Sequence, residues 1–171
     1  LADAEQLEVE IRGEAREPAG RVTVGSLPSI SGPIVGRLFQ QIRAQFPGIH
    51  LKILEGSSGQ VEEWLADARV DIAILYRYSH AVPEQEQALA SVESFLIGPA
   101  GDALTSAPEV NFSALHDLPF ILPGAPNGLR TTLDALARQE HMNLVPVIEA
   151  DSLPLMRSLV AQEGLYTVLP I

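Results

Sequence analysis

The residue types that carry most enzyme chemistry are sparse and scattered in this chain. It has no cysteine, which removes disulfide frameworks, thiolate nucleophiles and cysteine zinc sites. Its histidines, His50, His80, His116 and His141, stand at no metal-ligand spacing from one another and read as surface or loop residues. Gly25-Ser26-Leu27-Pro28 lacks the second glycine that a dinucleotide fingerprint needs, and no Gly-Lys-Ser/Thr phosphate loop occurs. Gly56-Ser57-Ser58-Gly59 is too short for a nucleophile elbow. Glu55, Asp71 and Asp151 are acids, but nothing in the sequence sets a separation between them, and acids at strand ends more often cap turns. No catalytic residue, metal site or cofactor is expected. The remaining chemistry is that of binding. Ser26-Leu27-Pro28-Ser29-Ile30-Ser31-Gly32-Pro33 is a polar turn between a strand and a helix. In open α/β sheets such turns lie outside the carboxyl ends of strands, where N–H groups at helix starts point into a crevice. Their hydroxyls suit a small polar ligand, although Ser, Gly and Pro also build turns and caps with no ligand at all.

The elements that must position this turn follow from hydrophobic patterning. Residues 21–25 read as a buried strand. Ile34, Leu38, Ile42 and Phe46 recur four apart, so a helix over 33–46 is expected, with Pro33 in its first turn, Pro47-Gly48 closing it and one face inward. Residues 49–55 alternate as a strand. Ser57 with Gln60 fits a capping box at the head of a helix over 60–68, which turns Val61, Trp64 and Leu65 inward. Residues 70–75 are almost continuously apolar, as suits a central parallel strand. The unit is βαβαβ, and right-handed crossovers place the turns at Ser26–Ser31 and Ser57–Gly59 on the same sheet edge as Tyr76-Arg77-Tyr78.

A second unit follows a polar crossover. Strands are expected at 92–97, 118–122, 145–150 and 165–169, with a short helical piece at 111–115. A helix after Asn127-Gly128 carries Leu129, Leu133, Leu136 and Ala137 inward, and another after Asp151-Ser152 carries Leu155, Met156, Leu159 and Val160, ending at Gly164. Ahead of the first strand, Leu1, Ala4, Leu7 and Ile11 lie at helical spacing before a polar linker, as the tail of something upstream or as a terminal helix without a partner. The domain reading is therefore a linker helix and linker at 1–20, a first lobe at 21–78, a crossover or hinge at 79–91 and a second lobe at 92–171. At 171 residues and 46% hydrophobic, the chain has enough apolar material for two small lobes. Its 22 acidic residues against 11 basic ones, a net charge of -11, would repel a phosphate backbone, so the chain itself is not expected to bind nucleic acid. No apolar run approaches a membrane span, and no signal peptide is visible.

Gly20-x-Val22-x-Val24-Gly25, the Phe46-Pro47-x-Ile49-x-Leu51 join, Glu55-Gly56-Ser57-Ser58-Gly59, Leu65 with Arg69-Val70-Asp71-Ile72-Ala73-Ile74, and Val160-Ala161-x-x-Gly164-Leu165 with Leu169-Pro170 occur here in an order and spacing that resembles the effector-binding domain of LysR-type transcriptional regulators. The resemblance spans essentially the whole chain. It implies an α/β fold of two Rossmann-like lobes joined by a hinge, periplasmic-binding-protein-like of type 2. It also implies a cytoplasmic regulator that reaches DNA only through a winged helix-turn-helix upstream of this chain, and a parent that self-associates as a dimer or tetramer. Family members return to the first lobe after the Leu-Pro at 169–170; that return is absent here, and the first lobe is expected to lack its full sheet and to expose an edge.

With the lobes facing each other as the resemblance implies, the turns converge on one cleft. The effector-binding residues expected there are Ser26, Leu27, Pro28, Ser29, Ser57, Ser58, Gly59, Tyr76, Arg77, Pro123, Asn127, Gly128, Asp151 and Ser152. Helix N-termini and hydroxyls favour a small anion, with Arg77 as its charge pair. Asp151 would repel that anion or bind an amine instead. For each serine the alternative is a cap on its own helix, and for Arg77 a solvent-facing hinge residue. The dimer seam is expected on the helix over 33–46, through Ile34, Arg37, Leu38 and Gln41, unless its Arg37, Gln40 and Arg43 form a solvated face. The competing function is that of a solute-binding protein in a transport system, which shares the architecture.

Overall fold

A computed structural model describes residues 17–78 and 83–170. The helix expected over 1–13 and His80 lie outside the described residues, as do positions 79–82 of the crossover.

The first strand, β1 (Gly20–Ser26), is central, with β2 (Ile49–Glu55) parallel on one side and β3 (Ile72–Ile74) parallel on the other. A β2-β1-β3 order puts 72–74 at an edge, so the expectation of a central strand over 70–75 is corrected. Ile72 is 51% exposed. What holds β3 in register is Asp71: the Thr23 N–H donates to its Oδ2 at 2.7 Å, and its own N–H donates to the Thr23 carbonyl at 2.8 Å. The core of this lobe is small, built on Val24, Ile30, Val61 and Val70. Gly25 makes it possible. A Cβ there would stand 2.9 Å from the Val61 side chain and 3.3 Å from Val70, closer than carbon atoms pack.

Between β1 and β2 the helical stretch starts earlier than the spacing suggests. It opens as α1 (Pro28–Ile30), widens into a π turn over Ser31–Val35 and continues as α2 (Gly36–Gln45). Pro28 fits the first turn, where its missing N–H is not needed. Pro33, one turn further in, can donate no N–H and its ring crowds the preceding turn; a π turn accommodates both. The expectation of an inward apolar face is corrected too: α2 has no buried residue, Leu38 and Ile42 are half-buried, and Ile34 and Phe39 are exposed. This segment lies over β2, an edge strand that itself buries none of its residues.

After β2 comes α3 (Ser58–Ala66), with the capping box in place: the Gln60 N–H donates to Ser57 Oγ at 3.3 Å, and the Ser57 N–H donates to Gln60 Oε1 at 2.9 Å. Val61 is fully buried and Trp64 half-buried under the Arg69 guanidinium, 5.5 Å from the ring centroid. Leu65, expected inward, is exposed, because a helix lying on a narrow sheet covers it with one row of side chains only.

The second lobe strings short strands into one mixed array. β4 (Ser94–Ile97) pairs antiparallel with the last strand, β7 (Thr167–Pro170). β5 (Ile121–Leu122) pairs parallel with β6 (Ile148–Glu149), and a parallel bridge between Phe120 and Tyr166 joins the two pairs. Alternation along these strands feeds a separate core on each face. Phe120, Leu122 and Val168 pack with Leu129, Leu133 and Ala137 of α4 (Gly128–Gln139). Ile121 and Leu169 pack with Met156 and Val160 of α5 (Leu153–Glu163). Leu136 and Leu155, expected inward, stay exposed, and so do Val145 and Val147, since the strand expected over 145–150 shortens to two residues. Gly164 ends α5 in the left-handed conformation (φ 68°) that favours glycine.

Candidate ligand-binding cleft

Helix starts from both lobes meet around one cleft of about 210 Å³. The first lobe contributes Leu27, Pro28 and Ser29 from the head of α1 and Gly56, Ser57, Ser58 and Gln60 from the head of α3. The second contributes Pro123, Asn127 and Leu129 before and within α4, Asp151, Leu153 and Met156 at the head of α5, and Leu169-Pro170 of β7. Tyr76 and Tyr78, between the lobes, close one wall with ring centroids 6.4 Å apart and planes tilted by 52°.

Local chemistry fixes each helix start. Asn127 caps α4 by accepting from the Leu129 and Arg130 N–H groups at 3.0 and 3.2 Å. Ser152 caps α5 by accepting from the Leu155 N–H at 3.4 Å, which leaves the neighbouring Asp151 out of the cap. Ser58 is shared between the lobes: its Oγ accepts from the Gly128 N–H at 2.9 Å. Around that bond, the space a Cβ on Gly59 would take is 3.1 Å from the Pro126 ring, and one on Gly128 would lie 3.4 Å from the Tyr78 ring. The two helix heads are therefore in direct contact at one end of the cleft.

Of the residues singled out in the sequence, Leu27, Pro28, Ser29, Ser57, Ser58, Tyr76, Pro123, Asn127 and Asp151 line the cleft. Ser26, Gly59, Arg77, Gly128 and Ser152 do not. Ser26 is fully buried, its Oγ donating to the Leu27 carbonyl at 3.4 Å. Gly59 and Gly128 are taken up by the contact between the lobes, and Ser152 by its capping role. Arg77 faces two carboxylates instead of the cleft: its Nε donates to Glu86 Oε2 at 2.9 Å, and its Nη1 pairs with Glu62 of α3. These bonds, Glu86 foremost, hold the guanidinium above its ordinary pKa, and the hydrogen bond from Arg77, helped by its charge, holds the Glu86 carboxyl below the usual range. Arg130 is similarly engaged, by Asp134 at 3.0 Å and Glu149 at 2.6 Å. Among the described residues the cleft thus has no lining cation, and Asp151 is the one charged residue that lines it.

The sequence reading missed Gly56, Gln60, Tyr78, Leu129, Leu153, Met156, Leu169 and Pro170, all of which line the cleft. Tyr78 and Gln60 were legible in principle, one beside Tyr76 and the other inside the capping box. Burial pushes the Tyr78 phenol up to about 12, with Tyr76 adding to the effect. The described histidines, His50, His116 and His141, are exposed and do not line the cleft, and His116 pairs with Asp117 at 2.6 Å. Among the described residues no cluster of His, Asp and Glu could hold a metal ion, and no helix is long and apolar enough to cross a membrane.

Two α/β lobes whose helix heads enclose a cleft define a hinged, periplasmic-binding-protein-like ligand-binding domain of type 2. Residues 15–171 match the LysR substrate binding domain, and the chain belongs to that family. It is 25% identical over 171 residues to the nitrogen assimilation regulatory protein nac of Escherichia coli K12, covering 99% of this chain and 55% of that protein. To the transcriptional activator protein LysR of the same organism it is 22% identical over 153 residues, covering 89% and 49%. The chain spans about half the length of these curated relatives. Among solved structures, HinK, a LysR family transcriptional regulator from Pseudomonas aeruginosa, superposes with a TM-score of 0.74 at 21% identity, over 100% of this chain and 58% of that one. The effector binding domain of QuiR in complex with shikimate gives 0.74 at 17% identity, over 90% and 75%. These structural likenesses establish the fold.

Proposed function

We propose that this chain is the effector-sensing part of a cytoplasmic transcriptional regulator. It holds a small molecule between its lobes and passes occupancy to DNA-binding elements of the whole protein. The observation that carries the reading is the cleft, whose walls come from both lobes and from the tyrosines between them, in a chain of the LysR substrate binding domain family. A ligand touching both walls favours one lobe arrangement by its differential affinity, which is all that a regulatory signal requires. No catalytic constellation accompanies the cleft among the described residues. Transport of a solute is the competing use of the same architecture; the curated relatives bear regulators' names, which favours sensing. The effector binding domain of QuiR, solved in complex with shikimate, lends support to a small organic effector.

An anionic group on the effector would be received by the heads of α1 and α3, at Ser29 and Ser58, and not by Arg77. Self-association is assigned to the exposed face around the π turn and α2, where Ile34, Arg37, Leu38 and Gln41 share a shallow groove.

A thermal-shift screen of small carboxylates, sulfonates, amino acids and amines tests the reading, since a ligand at about 100 times its Kd adds about 2.7 kcal/mol to the folded state. Sensing predicts a hit that is lost when Leu153→Trp fills the cleft, together with a change in small-angle scattering at saturation. A hit that survives Leu153→Trp, with dimensions unchanged, would overturn it.

A further inference from the structure

Resting on the effector reading, we infer that the molecule this cleft takes carries a protonated amine, which pairs with Asp151, and has no net negative charge. Asp151 is exposed and, among the described residues, is the one charged side chain on the cleft wall. Among the described residues its carboxylate has no ion-pair partner. It is not needed by α5 either, because Ser152 supplies the cap and accepts from the Leu155 N–H. Arg77, beside Tyr76 and Tyr78 in the chain, is held by Glu62 and Glu86, and Arg130, beside Leu129, by Asp134 and Glu149. Recruiting either to the cleft would strand two carboxylates.

Charge therefore discriminates in one direction. A simple carboxylate in the cleft would meet the like charge of Asp151 with no side-chain cation to offset it. An ammonium meets an acceptor-only group that has spare lone pairs. A zwitterion satisfies both ends, with its amine at Asp151 and its anionic end at the head of α1 or α3. The walls between these poles set the body of the molecule: Leu153, Met156 and Leu169 are apolar, and Tyr76 and Tyr78 offer ring faces that suit both hydrocarbon and cations. The chemical class is a small amine or amino acid with an apolar or aromatic side.

The test uses a series on one skeleton: phenethylamine (cation), phenylalanine (zwitterion) and 3-phenylpropionate (anion), each alongside its aliphatic counterpart. Thermal shift and calorimetry are read on the wild-type chain, Asp151→Asn and Glu63→Gln, the last removing an exposed carboxylate outside the cleft as a control for net charge. The expected result is stabilisation by amine-bearing members and none by the carboxylates. Asp151→Asn should weaken amine binding roughly tenfold, as loss of a charge-assisted hydrogen bond does, while Glu63→Gln leaves it unchanged. Stabilisation by the carboxylates alone, lost in Leu153→Trp, overturns the amine and leaves the effector reading standing. Amine binding that weakens equally in Glu63→Gln, or no binding by any amine, also overturns it.

Discussion

At the scale of single residues, the cleft is governed by what each side chain is already doing. Ser58 is the clearest case, since its hydroxyl accepts an N–H from the other lobe. Ser58→Ala leaves the Gly128 N–H without that acceptor and is expected to cost about 1–2 kcal/mol in urea unfolding. Replacement by Thr, which keeps the hydroxyl, should recover most of it. Tyr78 gives a pH signature. Its phenol is held up to about 12 by burial, so its contribution to stability is intact below pH ~10. It is lost as the pH rises from there through the folded-state value, because the unfolded chain releases the proton first. Burial and the bond to Asp102 raise Tyr166 as well, so ultraviolet titration should show late-ionising absorbance that is reduced, not abolished, in Tyr78→Phe. How far such residues were legible depended on distance along the chain. The Ser57–Gln60 capping box and the Asn127 cap are local patterns, and both could be read directly. Arg77 was placed in the cleft because its partners, Glu62 and Glu86, lie 15 and 9 residues away and meet it only through the fold. Met156 and Leu169 look like ordinary core residues in sequence; that they also reach the cleft is a property of where two sheets end.

At the scale of elements, periodicity identified which segments are helix or strand and misjudged how deeply they are buried. β2 matches the expected 49–55 to the residue, because strict alternation leaves little choice. The apolar run at 70–75 looked central, yet sheet order is decided by crossovers and not by the strand's own composition. The helix after β1 began early because Pro28, rather than Pro33, takes its first turn. The contact of β1 with α3 and β3 is tight enough to predict a clear cost. Gly25→Ala forces a methyl against Val61 and Val70 and should destabilise by about 1–3 kcal/mol, seen as a lower urea midpoint at unchanged slope. A Gly36→Ala change, where nothing lies within 4 Å of the added methyl, should be neutral or slightly stabilising.

At the scale of the whole molecule, the two lobes differ in how well each is built. The second has two buried clusters on opposite faces of its strands, whereas the first rests on a few residues and leaves the α2 face without a buried side chain. If that face is the seam of self-association, Arg37→Glu with Arg43→Glu should lower the mass found by sedimentation equilibrium. An unchanged mass argues for a solvated face instead. The bond between Ser58 and Gly128 has a further consequence for the kind of signal such a domain gives. A single hydrogen bond biases an equilibrium by about 1 kcal/mol, roughly fivefold in population. If the cleft takes a ligand, a bias of that size shifts the apparent Kd by the same factor and leaves the steepness of the binding curve unchanged, so the midpoint can be retuned by a single hydroxyl.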